Sequence, residues 1–126
     1  MRTYSQRLKK AREDADRATQ EWGRRHYNRC EGCDAWGIDC LHHFITKGSC
    51  AALRYEPINL IPICKKCHYK IHKNNDARIV LKIRKVRGGD KWEKELWRLA
   101  RAIVKPSLSY YKEIKKAFEN DQFQQH

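Results

Sequence analysis

The sequence predicts an α+β protein in which a middle third of short strands and turns lies between helical flanks. Three observations carry that class. Leu41, His42, His43 and Phe44, with Ile38 and Ile45 around them, read as a short strand in an apolar stretch. Cysteine arrives in two close pairs, Cys30 with Cys33 and Cys64 with Cys67, among the turn-formers Gly32, Gly37, Gly48 and Pro57. Outside that region apolar residues recur at steps of three and four with charges between them, which is the period of a helix.

The elements follow in order. Residues 3–25 are expected to form an amphipathic helix with Leu8, Ala11, Ala15, Ala18 and Trp22 on its buried stripe and Gly23 ending the pattern. From Cys30 to about Asn75 the composition changes to cysteine, histidine and short apolar runs. Helix returns after Asp76: Ile79, Ile83 and Val86 make one stripe, Gly88 and Gly89 break it, and Trp92, Leu96, Leu99 and Ile103 make the next. Asp90 and Glu93 are spaced as a capping box for that second helix. Lys105 and Pro106 are expected to close it, and Ser107 to cap a third helix bearing Tyr111, Ile114 and Phe118. The chain thus divides into a basic amphipathic helix over 1–29, a core over 30–75 and a basic helical extension over 76–126. It contains no internal repeat.

A chain of 126 residues is one small domain whose core alone is modest, so a staple is expected. Lys and Arg outnumber Asp and Glu by 28 to 15, giving a net charge of +13 and a pI near 9.7, and a polyanion is the first partner to consider. Residues 1–29 carry 9 basic against 4 acidic side chains, residues 30–75 carry 6 against 4, and residues 76–126 carry 13 against 7. The helical flanks therefore hold most of the surplus, where it either meets a nucleic-acid backbone or simply solvates helix faces. No apolar run approaches the roughly 20 residues that span a bilayer, and the charged start MRTYSQRLKK has no apolar stretch behind it. A cytoplasmic protein with no membrane partner is the expectation.

In a reducing compartment the cysteine spacing points to metal rather than to disulfides. Cys30 and Cys33, then 30 intervening residues, then Cys64 and Cys67, make a tetrathiolate pattern: each pair supplies two thiolates from one tight turn. A structural Zn²⁺ there would tie two distant segments together and supply the missing core energy. The competing readings are two buried reduced pairs or a redox CxxC, for which the flanking βαβ pattern is missing. Cys40 and Cys50 stand alone and read as small packing residues.

His68 and His72, at i and i+4, share one face of a helix that starts near Cys64. At about 100° per residue they lie roughly 90° around that helix from Cys64 and Cys67, so one helix can carry two metal sites on neighbouring flanks. His42 and His43 on a strand point to opposite faces and cannot both grip the same partner. If His42 turns inward as a third ligand, His43 is left beside the ion with a free imidazole. Its ordinary pKa, about 6.5, suits the removal of a proton from water while the cation polarises a phosphate. Three protein ligands also leave coordination positions open, as a catalytic site requires.

These residues resemble the HNH (His-Me finger, ββα-metal) endonuclease family: "HH" at 42 and 43, Asn59 in "INLIP", and the histidines of "CKKCHYKIH", with a CxxC pair on each side of the motif. The resemblance covers about residues 30–75. It implies a small ββα-metal finger with a four-cysteine structural zinc site, flanked by N-terminal and C-terminal helices. It also implies His43 as general base, His42, His68 and His72 as ligands of one catalytic divalent ion, and Asn59 as the residue that fixes the loop and orients the base. A narrower stretch, "HHFITKGSCAALRYEPINLIPICKKCH", looks like the NinG/Rap-type phage recombination endonucleases, which act on branched DNA. His42 stands where that pattern has glycine, and His68 where it usually has asparagine. These two departures draw the chain towards the general HNH pattern.

The function expected is thus a metal-dependent DNA endonuclease, phage-encoded and recombination-linked on the narrower resemblance, and the HNH resemblance implies cleavage to 5′-phosphate and 3′-hydroxyl ends. Lys47, Arg54, Lys65, Lys66 and Lys70 are the candidate nucleic-acid contacts, with Arg54 placed to clamp a phosphate or to sit as a loop charge in water. Imidazole ligands leave the working ion open among Mg²⁺, Mn²⁺, Ni²⁺ and Zn²⁺. One metal site nicks one strand, and the sequence leaves both monomer and homodimer open. The alternative is a non-catalytic zinc module that binds DNA through its basic helices. A third reading, a protein-partner surface made by Trp92, Trp97, Tyr110 and Tyr111, competes with their use as helix core.

Overall fold

A computed structural model describes residues 1–122. Among them are five helices and one two-stranded antiparallel sheet, an α+β architecture. Helix α1 spans Tyr4–His26, strand β1 Cys40–His43 and strand β2 Leu60–Ile63. Helices α2 to α5 span Lys65–Asn74, Ala77–Arg87, Asp90–Ala100 and Leu108–Glu119. Two 3₁₀ turns, Ala51–Leu53 and Pro57–Asn59, sit in the long β1–β2 connection. No helix among the described residues is long and apolar enough to cross a membrane.

The sheet register sorts side chains into two sets. Cys40 pairs with Ile63, Leu41 with Pro62, His42 with Ile61 and His43 with Leu60. Because neighbours on a strand point to opposite faces, Cys40, His42, Ile61 and Ile63 share one face, and Leu41, His43, Leu60 and Pro62 the other. Each face has its own core. Ile61 and Ile63 pack with Cys30, Cys67, Ile79, Ile83, Trp92, Leu96 and Leu99 from the turns, α2, α3 and α4. Leu41 and Leu60 pack with Ala15, Ala18, Trp22, Tyr55, Tyr111 and Phe118, mostly from α1 and α5. So small a sheet is held by what covers it.

Its edges are also occupied. The outer edge of β1 is satisfied by one side chain: the Leu41 N–H donates to Gln20 Oε1 (2.8 Å), and Gln20 Nε2 donates to the Leu41 carbonyl (3.1 Å). On β2 the Pro62 carbonyl accepts from the Glu31 N–H at 2.9 Å, so the proline, which has no N–H to give, sits on an outer edge where none is required. Arg87 of α3 ties the same region together, with a bidentate pair to Glu31 and a bond to the Leu60 carbonyl at 2.8 Å.

Four sequence expectations change. Gly23 does not end α1; the helix runs to His26, and Gly23 is buried where α1 crosses β1, so close that an added Cβ would lie 2.4 Å from Leu41 Cγ. We expect Gly23→Ala to destabilise the protein by roughly 1–3 kcal/mol in urea titrations, because overpacking outweighs the gain of up to about 1 kcal/mol in helix propensity. A neutral or stabilised variant would contradict this crossing. Asp90 is not an N-cap: Gly89 takes that place at φ +64°, and Asp90 and Glu93 instead pair with Arg84 of α3. Val86 lies in the last turn of α3, beyond the apolar cluster, and is exposed. Ile103 is 89 % exposed, because α4 ends at Ala100 and a segment without regular secondary structure leads to Pro106. Ser107 does cap α5, its hydroxyl accepting from the Tyr110 N–H at 3.1 Å.

Candidate metal centres

The two cysteine turns meet on one side of the sheet. Cys30, Cys33, Cys64 and Cys67 bring their sulfurs within 4.8 Å of one another, an arrangement able to hold a metal ion such as zinc. Cys33 Sγ and Cys64 Sγ are 3.8 Å apart. Tetrahedral zinc with S ligands at about 2.3 Å sets sulfurs about 3.8 Å from each other, whereas a disulfide needs about 2.05 Å. Local structure explains the convergence. The Gly32 N–H points at Cys30 Sγ (3.3 Å), and Asp34, at φ +64°, turns the chain back after Cys33. Cys64 stands at the N-cap of α2, whose first turn carries Cys67.

The four thiols sit in unequal environments. Burial first, and then the three neighbouring thiols, push Cys67 far up, and burial also raises Cys30. Burial acts in the same direction on Cys64, but the Cys67 backbone N–H and the other thiols outweigh it and hold Cys64 below the ordinary thiol value. A divalent ion would offset the repulsion that crowded thiolates otherwise meet. Gly32 leaves just enough room, since a Cβ there would come 3.0 Å from Cys67 Sγ.

The second cluster lies beside the first. His42 of β1 meets His68 and His72 of α2, one ring nitrogen from each lying within 4.8 Å of the others. Ring centroids are 5.2 Å apart for His42 and His72 and 4.5 Å for His68 and His72. Burial, followed by the repulsion of His72, His68 and His43, pushes His42 down to about 4. His68 is lowered too, mainly by burial. Both are therefore neutral at pH 7 with lone pairs available to a cation. A third group, Asp39, Cys40 and His68, shares His68 with this triad. Cys40 and Cys50 both pack against the apolar cluster, as the sequence suggested, with the Cys50 sulfur 3.7 Å from the Ala100 carbonyl.

His43 points to the opposite face of β1 but lines the same cavity of about 310 Å³ as His42, His68, His72, Gln20, Cys40 and Lys47. Its Nε2 is 3.0 Å from the Arg54 carbonyl. A carbonyl only accepts, so Nε2 carries the proton and Nδ1 keeps the free lone pair. Burial, the largest influence, lowers the His43 pKa against the opposing pull of that bond. Asn59, fully buried, holds the loop that supplies the carbonyl: its Oδ1 accepts from the Ile45 N–H (2.8 Å), and its Nδ2 donates to the carbonyls of Ile45 (3.0 Å) and Leu53 (3.2 Å).

Arg54 is committed within the protein. Its guanidinium makes a two-point contact with Asp16 of α1, at 3.1 Å from Nε and 2.6 Å from Nη2, and the Tyr55 hydroxyl donates to the same carboxylate at 2.8 Å. Asp16 and Gln20, one helical turn apart on α1, thus fix the loop and the strand edge around His43. Sequence reading missed both, because neither differs from an ordinary solvated position on an amphipathic helix. Lys47 is exposed at the cavity, and Lys65 and Lys66 are exposed on the first turn of α2, with Lys70 half-buried further along. Trp92 and Tyr111 are core residues, Tyr110 is half-buried and Trp97 is 70 % exposed. Comparison of the chain with family models, curated proteins and solved structures gives no match.

Proposed function

We propose that the protein is a metal-dependent DNA endonuclease of the HNH type, with a structural zinc at Cys30, Cys33, Cys64 and Cys67 and a catalytic divalent ion at His42, His68 and His72. One observation carries this reading: three imidazoles converge from β1 and α2, and the adjacent His43, its tautomer set by the Arg54 carbonyl, lines the same cavity. The ion would act as a Lewis acid on a phosphate oxygen and stabilise the leaving group. His43 Nδ1 would take the proton of the attacking water, and Asn59 would keep the loop, and with it the carbonyl that sets the base, in place. Lys47, Lys65, Lys66 and Lys70 would contact the phosphate backbone, in keeping with the net charge of +13. Arg54, neutralised by Asp16, serves better as a brace for the loop than as a phosphate clamp.

The test is to incubate the protein with supercoiled plasmid, single strands and a four-way junction across Mg²⁺, Mn²⁺, Ni²⁺ and Zn²⁺, with metal analysis alongside. The nuclease reading expects nicking and a second, exchangeable ion besides one tightly held zinc. DNA binding with a single ion and no cleavage would leave only the zinc-stabilised DNA-binding module. Preference for the junction would support a role in phage recombination.

The acid limb of the rate is also predictable. The working form of His43 is neutral, so nicking falls as pH drops through its pKa and is flat above it. Burial lowers that pKa, and a cation alongside acts in the same direction. With saturating Mn²⁺ the half-maximal rate is therefore expected below pH 6.5, and a midpoint at or above 7 would count against His43 as the base.

A further inference from the structure

We propose that Asp39, Cys40 and His68 form a second position for a thiophilic cation such as Zn²⁺, and that this position competes with the histidine triad for His68. Cys40 and His42 project from the same face of β1, with α2 presenting His68 to both. Cys40 Sγ lies 3.4 Å from His68 Nδ1. A tetrahedral zinc bound by sulfur at about 2.3 Å and nitrogen at about 2.0–2.1 Å separates those atoms by about 3.5 Å. The Asp39 carboxylate is 3.9 Å from the same nitrogen. Its backbone is held on both sides, the N–H donating to the Ile63 carbonyl at 2.8 Å and the carbonyl accepting from Arg24 at 3.3 Å.

Charge and hardness separate the two positions. Three imidazoles leave a divalent ion with its full charge, which suits a site that awaits an anionic phosphate. Asp39 and a Cys40 thiolate neutralise the ion, the thiol proton passing to solvent as the sulfur–metal bond forms. A thiolate selects zinc and other soft ions over Mg²⁺ or Mn²⁺. A neutral imidazole has one free lone pair, so His68 serves one ion at a time. Zinc captured by Asp39 and Cys40 takes His68 from the triad, and under the proposed nuclease reading, on which this consequence rests, it inhibits the enzyme.

The site itself is tested without any nuclease assay. Protein with zinc in the tetrathiolate site is titrated with Co²⁺ while the thiolate-to-cobalt charge-transfer absorption is followed. The band is expected in the parent protein and in His42→Ala and absent in Cys40→Ser, with the cobalt affinity of Asp39→Asn reduced by about 10–100-fold. No band in the parent, or an undiminished band in Cys40→Ser, would overturn the site; thermal melts confirm that the variants are folded. In a Mn²⁺-supported nicking assay the Zn²⁺ concentration for half-inhibition should rise at least about 10-fold in Cys40→Ser. A protein that cleaves nothing yet shows the Cys40-dependent band would remove the nuclease and leave this site standing.

Discussion

Cys67→Ser is expected to lose the tetrathiolate ion and, with it, cooperative folding of the protein. Cys67 is 3 % exposed and belongs to the same apolar cluster as Ile61, Ile63, Ile79 and Ile83, so the ion it would hold is continuous with the core. Structural zinc contributes on the order of 10–16 kcal/mol in small finger peptides, against about 5–15 kcal/mol for the whole stability of a typical domain. Losing one of four thiolates therefore puts the fold itself at risk. Thermal melts followed by circular dichroism, with metal content measured on the same samples, should show one ion lost per chain and a broad or missing transition. Cys33→Ser tests the same site more gently, because Cys33 is exposed and its loss removes a ligand without opening the core. A Cys67→Ser protein that melts like the parent and keeps its zinc would mean that the four thiols are only packed together.

The second large effect tests the proposed nuclease reading. His43→Ala should reduce plasmid nicking by about 10²–10⁴-fold, the usual contribution of a positioned general base, while the exchangeable ion and DNA binding persist. The structure gives a reason for that separation: His43 projects from the face of β1 opposite the one on which His42 meets His68 and His72. His42→Ala should behave differently, losing the second ion together with activity. Unchanged nicking in His43→Ala would remove this residue from its role, and equal loss of ion from both variants would make His43 a ligand. Both outcomes are read from one gel and one metal analysis.

Each of these variants was nameable before any coordinates, and the reason is local. A CxxC turn is a short-range object, and so are two histidines one helical turn apart; chain geometry over four residues dictates what each can do. Alternation along Leu41, His42 and His43 likewise requires that the two imidazoles part company. Helices α1 and α3 to α5 were legible for the same reason, although the edges of α1 and α4 were not. Gly23 looks like a helix stop until Leu41 is found against it, and Asp90 looks like a cap until Arg84 is found to pair with it.

The amino-acid sequence by itself determined which residue types are able to hold a metal, their spacing and the helical flanks, because these depend on bonds and periodicities within a few residues. Tertiary structure alone decided that the thiols and the imidazoles form neighbouring clusters, that Gln20 and Asp16 of α1 brace the strand and loop around His43, and that Cys40 shares His68 with the triad. Those contacts join positions tens of residues apart in the chain. They exist only once α1, α2 and the sheet are packed together, and no local pattern encodes that packing.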